Sequence, residues 1–140
     1  METTREAQVI GALNEMIQEY EAGGVDAALS YFAPSATVSM FGTGRDEKRV
    51  GLDEIQAQIE RDMAQSEGVS FNLDWNLVGI SGSVAWVASD ITIRFKVPGQ
   101  PEMAFPARMT TVLQDYDGRW LVEHSHLSVA AASQDEGQSF

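Results

Sequence analysis

The sequence predicts an α+β domain, with helices first and an antiparallel sheet after them. Three observations lead there. Before Gly68 the apolar residues recur at helical spacing, and after it the period drops to two. The alternating stretches are joined by Ser81-Gly82 and Asp117-Gly118, dipeptides that suit tight turns. Three helices followed by four hairpin-linked strands place the helices on one face of the sheet. A chain of 140 residues suits one domain. That domain is expected over residues 1–132, with a polar, frayed tail over 133–140.

The elements follow in order. Thr3 and Glu6 form a capping box ahead of a stripe of Val9, Leu13, Met16, Ile17 and Tyr20. Gly23-Gly24 ends that helix, because glycine accepts the left-handed cap conformation. Asp26 caps a short second helix that Pro34 blocks from continuing. Residues 36–41 alternate as a first strand, and residues 42–49 form a charged loop. Asp53 caps a third helix with Ile55, Ile59 and Met63 on one face. Four long strands then span residues 69–81, 84–97, 103–115 and 119–130.

In the second long strand Ala85, Val87, Ile91, Ile93 and Phe95 alternate with Trp86, Asp90, Thr92, Arg94 and Lys96. In the third, Met103, Phe105, Ala107, Met109 and Leu113 alternate with Pro106, Arg108, Thr110 and Val112. The first set in each strand fits a packed face. The second set carries Trp86 and Val112 and is too apolar for plain solvent surface. Either a dimer interface or a ligand cavity explains it, so two faces stay open as the pocket wall: Arg108, Thr110 and His126, or Met109, Thr111 and Leu127.

Charge and composition exclude several classes. Nine Lys plus Arg against 21 Asp plus Glu leave a net charge of −12, and the lysines are Lys48 and Lys96. Neutralising phosphate needs clustered cations, so neither nucleic acid nor an anionic membrane is an expected partner. The absence of cysteine removes disulfides and thiolate chemistry. The acidic start lacks an apolar run of the secretory kind, and no stretch is apolar enough to span a bilayer. A cytoplasmic location is the expectation.

Four segments carry a resemblance: residues 22–33 (AGGVDAALSYFA), 34–38 (PSATV), 50–55 (VGLDEI), and Arg108-Met109-Thr110 together with residues 117–128 (DGRWLVEHSHLS). In this order they resemble the nuclear transport factor 2-like superfamily, and within it the SnoaL-like, ketosteroid-isomerase-related domains. The resemblance implies a cone-shaped, cystatin-like fold with three N-terminal helices packed on a curved antiparallel sheet. The last segment is also similar to the association domain of calmodulin-dependent kinases. In ketosteroid isomerases, the resemblance places a general-base Asp at Met40, an oxyanion-stabilising Tyr near Met16 and a protonated Asp at Thr110. SnoaL-type cyclases use an acid at a position like Thr110. Met cannot take a proton or donate to an oxyanion, which disfavours that mechanism.

Three functions are then open. The first is a domain binding a small hydrophobic or carboxylate-bearing molecule, lined by Met16, Tyr20, Phe32, Met40, Trp75, Trp86, Arg108 and Thr110. Arg108 would grip a carboxylate through its planar fork, or pair with Asp90 across strands. The second is an acid/base isomerase, cyclase or hydrolase using Asp90, Glu123, His124 or His126. His124-Ser125-His126 puts two imidazoles on one strand face, but no carboxylate follows at ligand spacing, so neither metal nor cofactor is expected. The third is a dimerising interaction domain with no substrate. A homodimer through the sheet face is expected under all three. The remaining acids of helices and loops, Glu47 and Asp62 among them, are assigned to a solvated coat.

Overall fold

The computed structural model describes residues 4–140. Its elements are α1 (Arg5–Glu21), α2 (Val25–Leu29), β1 (Ser39–Phe41), β2 (Lys48–Val50), α3 (Leu52–Gln65), β3 (Gly68–Ser81), β4 (Val84–Lys96), β5 (Met103–Tyr116) and β6 (Arg119–Ser128). Thr3 of the expected capping box lies outside the described residues. Thr4 caps α1 instead, its hydroxyl accepting from the Ala7 amide at 3.1 Å.

Several boundaries differ from the sequence expectation for local reasons. The first strand starts at Ser39 rather than residue 36, because the Ser35 hydroxyl holds the Thr37 amide at 3.1 Å in a turn. Part of the expected loop is a strand: β2 pairs antiparallel with β1, Met40 opposite Arg49. The cap of α3 is Gly51, not Asp53, and that of α2 is Gly24, not Asp26. Gly51 has φ +88°, which a side chain would strain, and its amide donates to the Val38 carbonyl at 2.8 Å. Asp53 and Asp26 sit in the first turns, where their charge suits the helix dipole.

The sheet runs β2-β1-β6-β5-β4-β3. Its four long strands are antiparallel neighbours, whereas β1 joins β6 in parallel, Met40 opposite Ser125. Two bulges decide which side chains face the helices. In β3, Leu73 pairs with Ile91 and Trp75 with Asp90, leaving Asp74 as the extra residue. In β6, Val122 pairs with Leu113 and His124 with Val112, leaving Glu123 extra. Each bulge reverses the alternation beyond it. The helices pack on the face carrying Val87, Ile91, Met109 and Leu113. Val9, Leu13 and Ile17 from α1 meet Ile55 and Ile59 from α3 in the same core. Full burial of each such aliphatic side chain contributes about 1.5–3 kcal/mol. Among the described residues, no helix is long and apolar enough to cross a membrane.

Candidate functional site

Between the helices and the inner sheet face the core leaves a cavity of about 870 Å³. That volume falls within the range of about 300–1,000 Å³ in which small-molecule sites occur. Met16, Ile17 and Tyr20 of α1 form one wall, because Tyr20 lies one turn on from both, at i+4 from Met16 and i+3 from Ile17. Phe71 of β3, Ile93 and Phe95 of β4, and Phe105 and Met109 of β5 form the sheet side. Phe32, Met40 and Leu127 complete the apolar lining. Met109 and Leu127 therefore face the cavity, while Arg108, Thr110 and His126 stand on the opposite, outer face.

The polar groups gather on the side of α3. Gln58 and Asp62 are one turn apart and project toward the cavity beside Ile59. The Tyr20 hydroxyl donates to Asp62 Oδ2 at 2.8 Å, tying α1 to α3. Gln58, only 2% exposed, donates from Nε2 to Asp62 Oδ1 at 2.7 Å and to Glu47 Oε1 at 3.2 Å. Its own Oε1 accepts from Arg49 Nε at 3.0 Å, so the buried amide is fully engaged. Arg61 reaches Asp46 at 2.7 Å and Glu47 at 3.3 Å.

The loop from Gly42 to Glu47 wraps the Glu47 carboxylate. A Cβ on Gly42 or Gly44 would run into that side chain, so the two glycines allow a close backbone approach. Burial pushes the Asp62 carboxyl above the usual carboxylate range; the Tyr20 and Gln58 hydrogen bonds oppose this shift and Glu47 adds to it. Burial likewise raises the Tyr20 phenol, with the Asp62 charge and hydrogen bond reinforcing it. Chemically, the wall offers a carboxylate of raised proton affinity beside a phenol inside an otherwise apolar space.

Of the residues expected from sequence, Met16, Tyr20, Phe32 and Met40 line this cavity. Trp75, Trp86, Arg108 and Thr110 do not; they lie on the outer sheet face, Trp75 because of the Asp74 bulge. Arg108 is 84% exposed and faces Asp90 at 3.5 Å, the cross-strand pairing rather than a ligand grip. Asp90 cannot serve His124, because β5 lies between them and the two face Arg108 and Val112 respectively. His124 accepts from or donates to Ser39 Oγ at 2.7 Å. The Phe41 ring sits edge-on to both His124 and His126, with centroids 5.0 and 5.2 Å away. Glu123, the bulge residue, takes a 3.2 Å hydrogen bond from the Tyr116 hydroxyl. None of Asp90, Glu123, His124 or His126 lines the cavity. Among the described residues, no three His, Asp or Glu side chains are grouped to hold a metal ion.

Asp62, Gln58 and Glu47 were not among the expected site residues. A signal for two of them exists in the sequence: Ile55, Gln58, Ile59 and Asp62 follow one i, i+3, i+4, i+7 stripe, so two polar residues interrupt the buried face of α3.

A family model described as a SnoaL-like domain matches residues 9–132. No curated protein matches the chain. A candidate dehydratase of the nuclear transport factor 2-like family from Streptomyces avermitilis superposes with TM-score 0.80 at 20% identity, over 90% of this chain and 98% of its own. A nuclear transport factor 2-like superfamily protein from Salmonella enterica gives 0.83 at 14% identity, over 96% of each chain. A ketosteroid isomerase-like protein from Erwinia carotovora gives 0.75 at 13%, over 93% of this chain and 100% of its own. At these identities the likeness is one of fold, and the fold does not carry the reaction with it. With the family model matching residues 9–132 and the fold shared with nuclear transport factor 2-like structures, the chain belongs to the SnoaL-like domain family.

Proposed function

We propose that this domain binds one small molecule with an apolar body in the cavity between α1, α3 and the sheet. The observation that carries this reading is the 870 Å³ space itself, aromatic and aliphatic on most sides, with its hydrogen-bonding groups concentrated around Asp62. A thermal-shift screen against hydrophobic ketones, carboxylates and polyketide-like aromatics tests it. Met109→Trp serves as the blocked control, since Met109 is 5% exposed and faces the cavity. The expected result is a set of ligands that raise the melting temperature of the wild type and not of the blocked variant. Shifts that persist unchanged in Met109→Trp would overturn the reading.

The Tyr20–Asp62 pair supports a second reading, an acid/base enzyme whose proton carrier is Asp62 rather than Asp90, Glu123 or a histidine. Structural neighbours named as a candidate dehydratase and as ketosteroid isomerase-like accord with it. Hydrogen–deuterium exchange of enolisable ketones, followed by NMR, tests for proton transfer. Exchange catalysed by wild type and lost in Asp62→Asn supports the enzyme; no exchange with any ketone that binds the cavity removes it.

We also propose a homodimer through the outer sheet face, where Trp75, Leu77 and Trp86 are 52%, 59% and 44% exposed on one side. Light scattering at micromolar concentration should give twice the monomer mass; a strict monomer contradicts it.

A further inference from the structure

We infer that the molecule held in this cavity carries a protonated amine, which sits against Asp62, rather than the carboxylate for which the sequence offered Arg108. The inference rests on the cavity being a ligand site, and it concerns the chemistry of that ligand. Three observations on the polar wall support it.

The first is the direction of the hydrogen bonds. Tyr20 spends its single O–H on Asp62, and Gln58 spends its amide hydrogens on Asp62 and Glu47. The donors of this wall are thus turned toward its own carboxylates. Asp62 receives one bond on each oxygen and keeps further acceptor sites, since a carboxylate offers about four. What the wall presents outward is acceptor capacity.

The second is charge. Glu47 has Arg61 at 3.3 Å. Asp62 has neutral donors, but among the described residues no ion pair reaches it. Arg61 acts on Asp62 only from a distance, being paired with Asp46 and Glu47, so this half-buried carboxylate lacks the direct counter-ion that buried charges ordinarily have. An ammonium group supplies it.

The third is the lining. Among the described residues no Lys, Arg or His lines the cavity, and its other neutral polar groups are those of Thr43, Gln65, Ser66 and Ser125. Ser66 already donates to the Asp62 carbonyl at 2.8 Å. A carboxylate ligand would enter beside Asp62 and Glu47 with no cation to receive it. Arg108, the residue the sequence offered for that purpose, lies across the sheet. The chain's net charge of −12 favours the approach of a cation as well. Phe71 and Tyr20, ring centroids 5.4 Å apart, both line the cavity and give an aromatic or alicyclic body an apolar wall next to the charged end.

The test compares three probes with one ring system: naphthylethylamine, naphthylethanol and naphthylacetate. Affinities are read by calorimetry on the full chain at neutral pH, for wild type, Asp62→Asn and Met109→Trp. The amine should bind about tenfold or more tighter than the alcohol, the gain of one charge-assisted hydrogen bond. The acetate should bind weakest. Asp62→Asn should bring the amine to the level of the alcohol, and Met109→Trp should abolish all three. Should Asp62→Asn fail to fold, the order of the three probes on wild type decides alone. Equal affinities, or the acetate binding best, would overturn the amine while leaving the cavity reading intact. Amine binding that survives in both variants marks general attraction to an acidic surface and overturns it too. Binding by none of the three removes the inference, and ligands found for the cavity by the broader screen would show that the site itself stands.

Discussion

The hydrogen bond between Tyr20 and Asp62 is the contact on which the polar wall depends, and its strength can be worked from its surroundings. Tyr20→Phe removes only the hydroxyl. The ring stays against Phe71, tilted by 58° at 5.4 Å, so the apolar burial is unchanged. A hydrogen bond to a charged acceptor contributes about 1.5–3 kcal/mol. Asp62 also faces the open cavity, where water can solvate it, which places this bond at the lower end, about 1.5 kcal/mol. In a domain of this size that corresponds to a loss of about 5 °C in melting temperature.

Asp62→Asn alone alters both the Tyr20 and the Gln58 contact, so only the coupling between Tyr20→Phe and Asp62→Asn isolates the pair. Urea denaturation of the four proteins at pH 7 should give a coupling of about 1–1.5 kcal/mol. In acid, where Asp62 is protonated and no longer a charged acceptor, the cost of Tyr20→Phe should shrink. Additivity within about 0.5 kcal/mol at pH 7, or an equal cost at both pH values, would refute a charged hydrogen bond at this place.

Other outcomes follow from the same contacts. Leu113→Ala, at a position with no exposed surface, should cost about 2–5 kcal/mol by denaturant unfolding. Gly42→Ala should dislodge the Glu47 carboxylate its backbone now touches and weaken the Gln58–Glu47 bond, read as a melting-temperature loss of a few degrees on the order of 1 kcal/mol. The pH dependence assigned to Asp62 has a definite sign. Its folded pKa is raised above the ordinary aspartate value of about 3.9, so the stability it contributes is full below that value and is lost as pH rises through the folded pKa. The stability of wild type relative to Asp62→Asn should therefore fall with rising pH across that window, in urea titrations at several pH values. On the outer face, Gly79→Ala should displace the Trp86 indole that lies across Gly79 from the paired strand, and it should weaken self-association measured by light scattering.

The helices and long strands were legible because their periods differ: apolar stripes at helical spacing end before Gly68, and alternation carries Val84 to Lys96 and Met103 to Tyr116. Most of the packed face of both strands also followed from that alternation, with Ala85, Val87, Ile91, Ala107, Met109 and Leu113 all buried, whereas Met103 at the start of β5 is exposed. The short hairpin of β1 and β2 and its parallel docking on β6 were not legible, since three-residue strands carry no period and their pairing is non-local. The bulges at Asp74 and Glu123 were equally silent. They alone decide that Trp75 stands outside and that Ser125 and Leu127, not His124 and His126, face the cavity.

Asp62 escaped the sequence reading because a carboxylate on a helix resembles solvated surface in a chain with 21 acids. Depth in the strand run singled out Asp90 and Glu123, yet the sheet has two faces, and Asp90 lies on the one turned away from the helices. Asp62 becomes distinctive only when Tyr20, 42 positions earlier, folds back onto it.

The most direct measurement of the central claim is the titration of Asp62 itself. The side-chain carboxyl carbon of Asp62, followed by NMR against pH, should show a midpoint above the ordinary aspartate value near 3.9. Saturating naphthylethylamine should move that midpoint down, since a bound cation favours the ionised form. An Asp62 that titrates at the ordinary value and does not respond to the amine would contradict a cavity-facing carboxylate with no direct ion-pair partner.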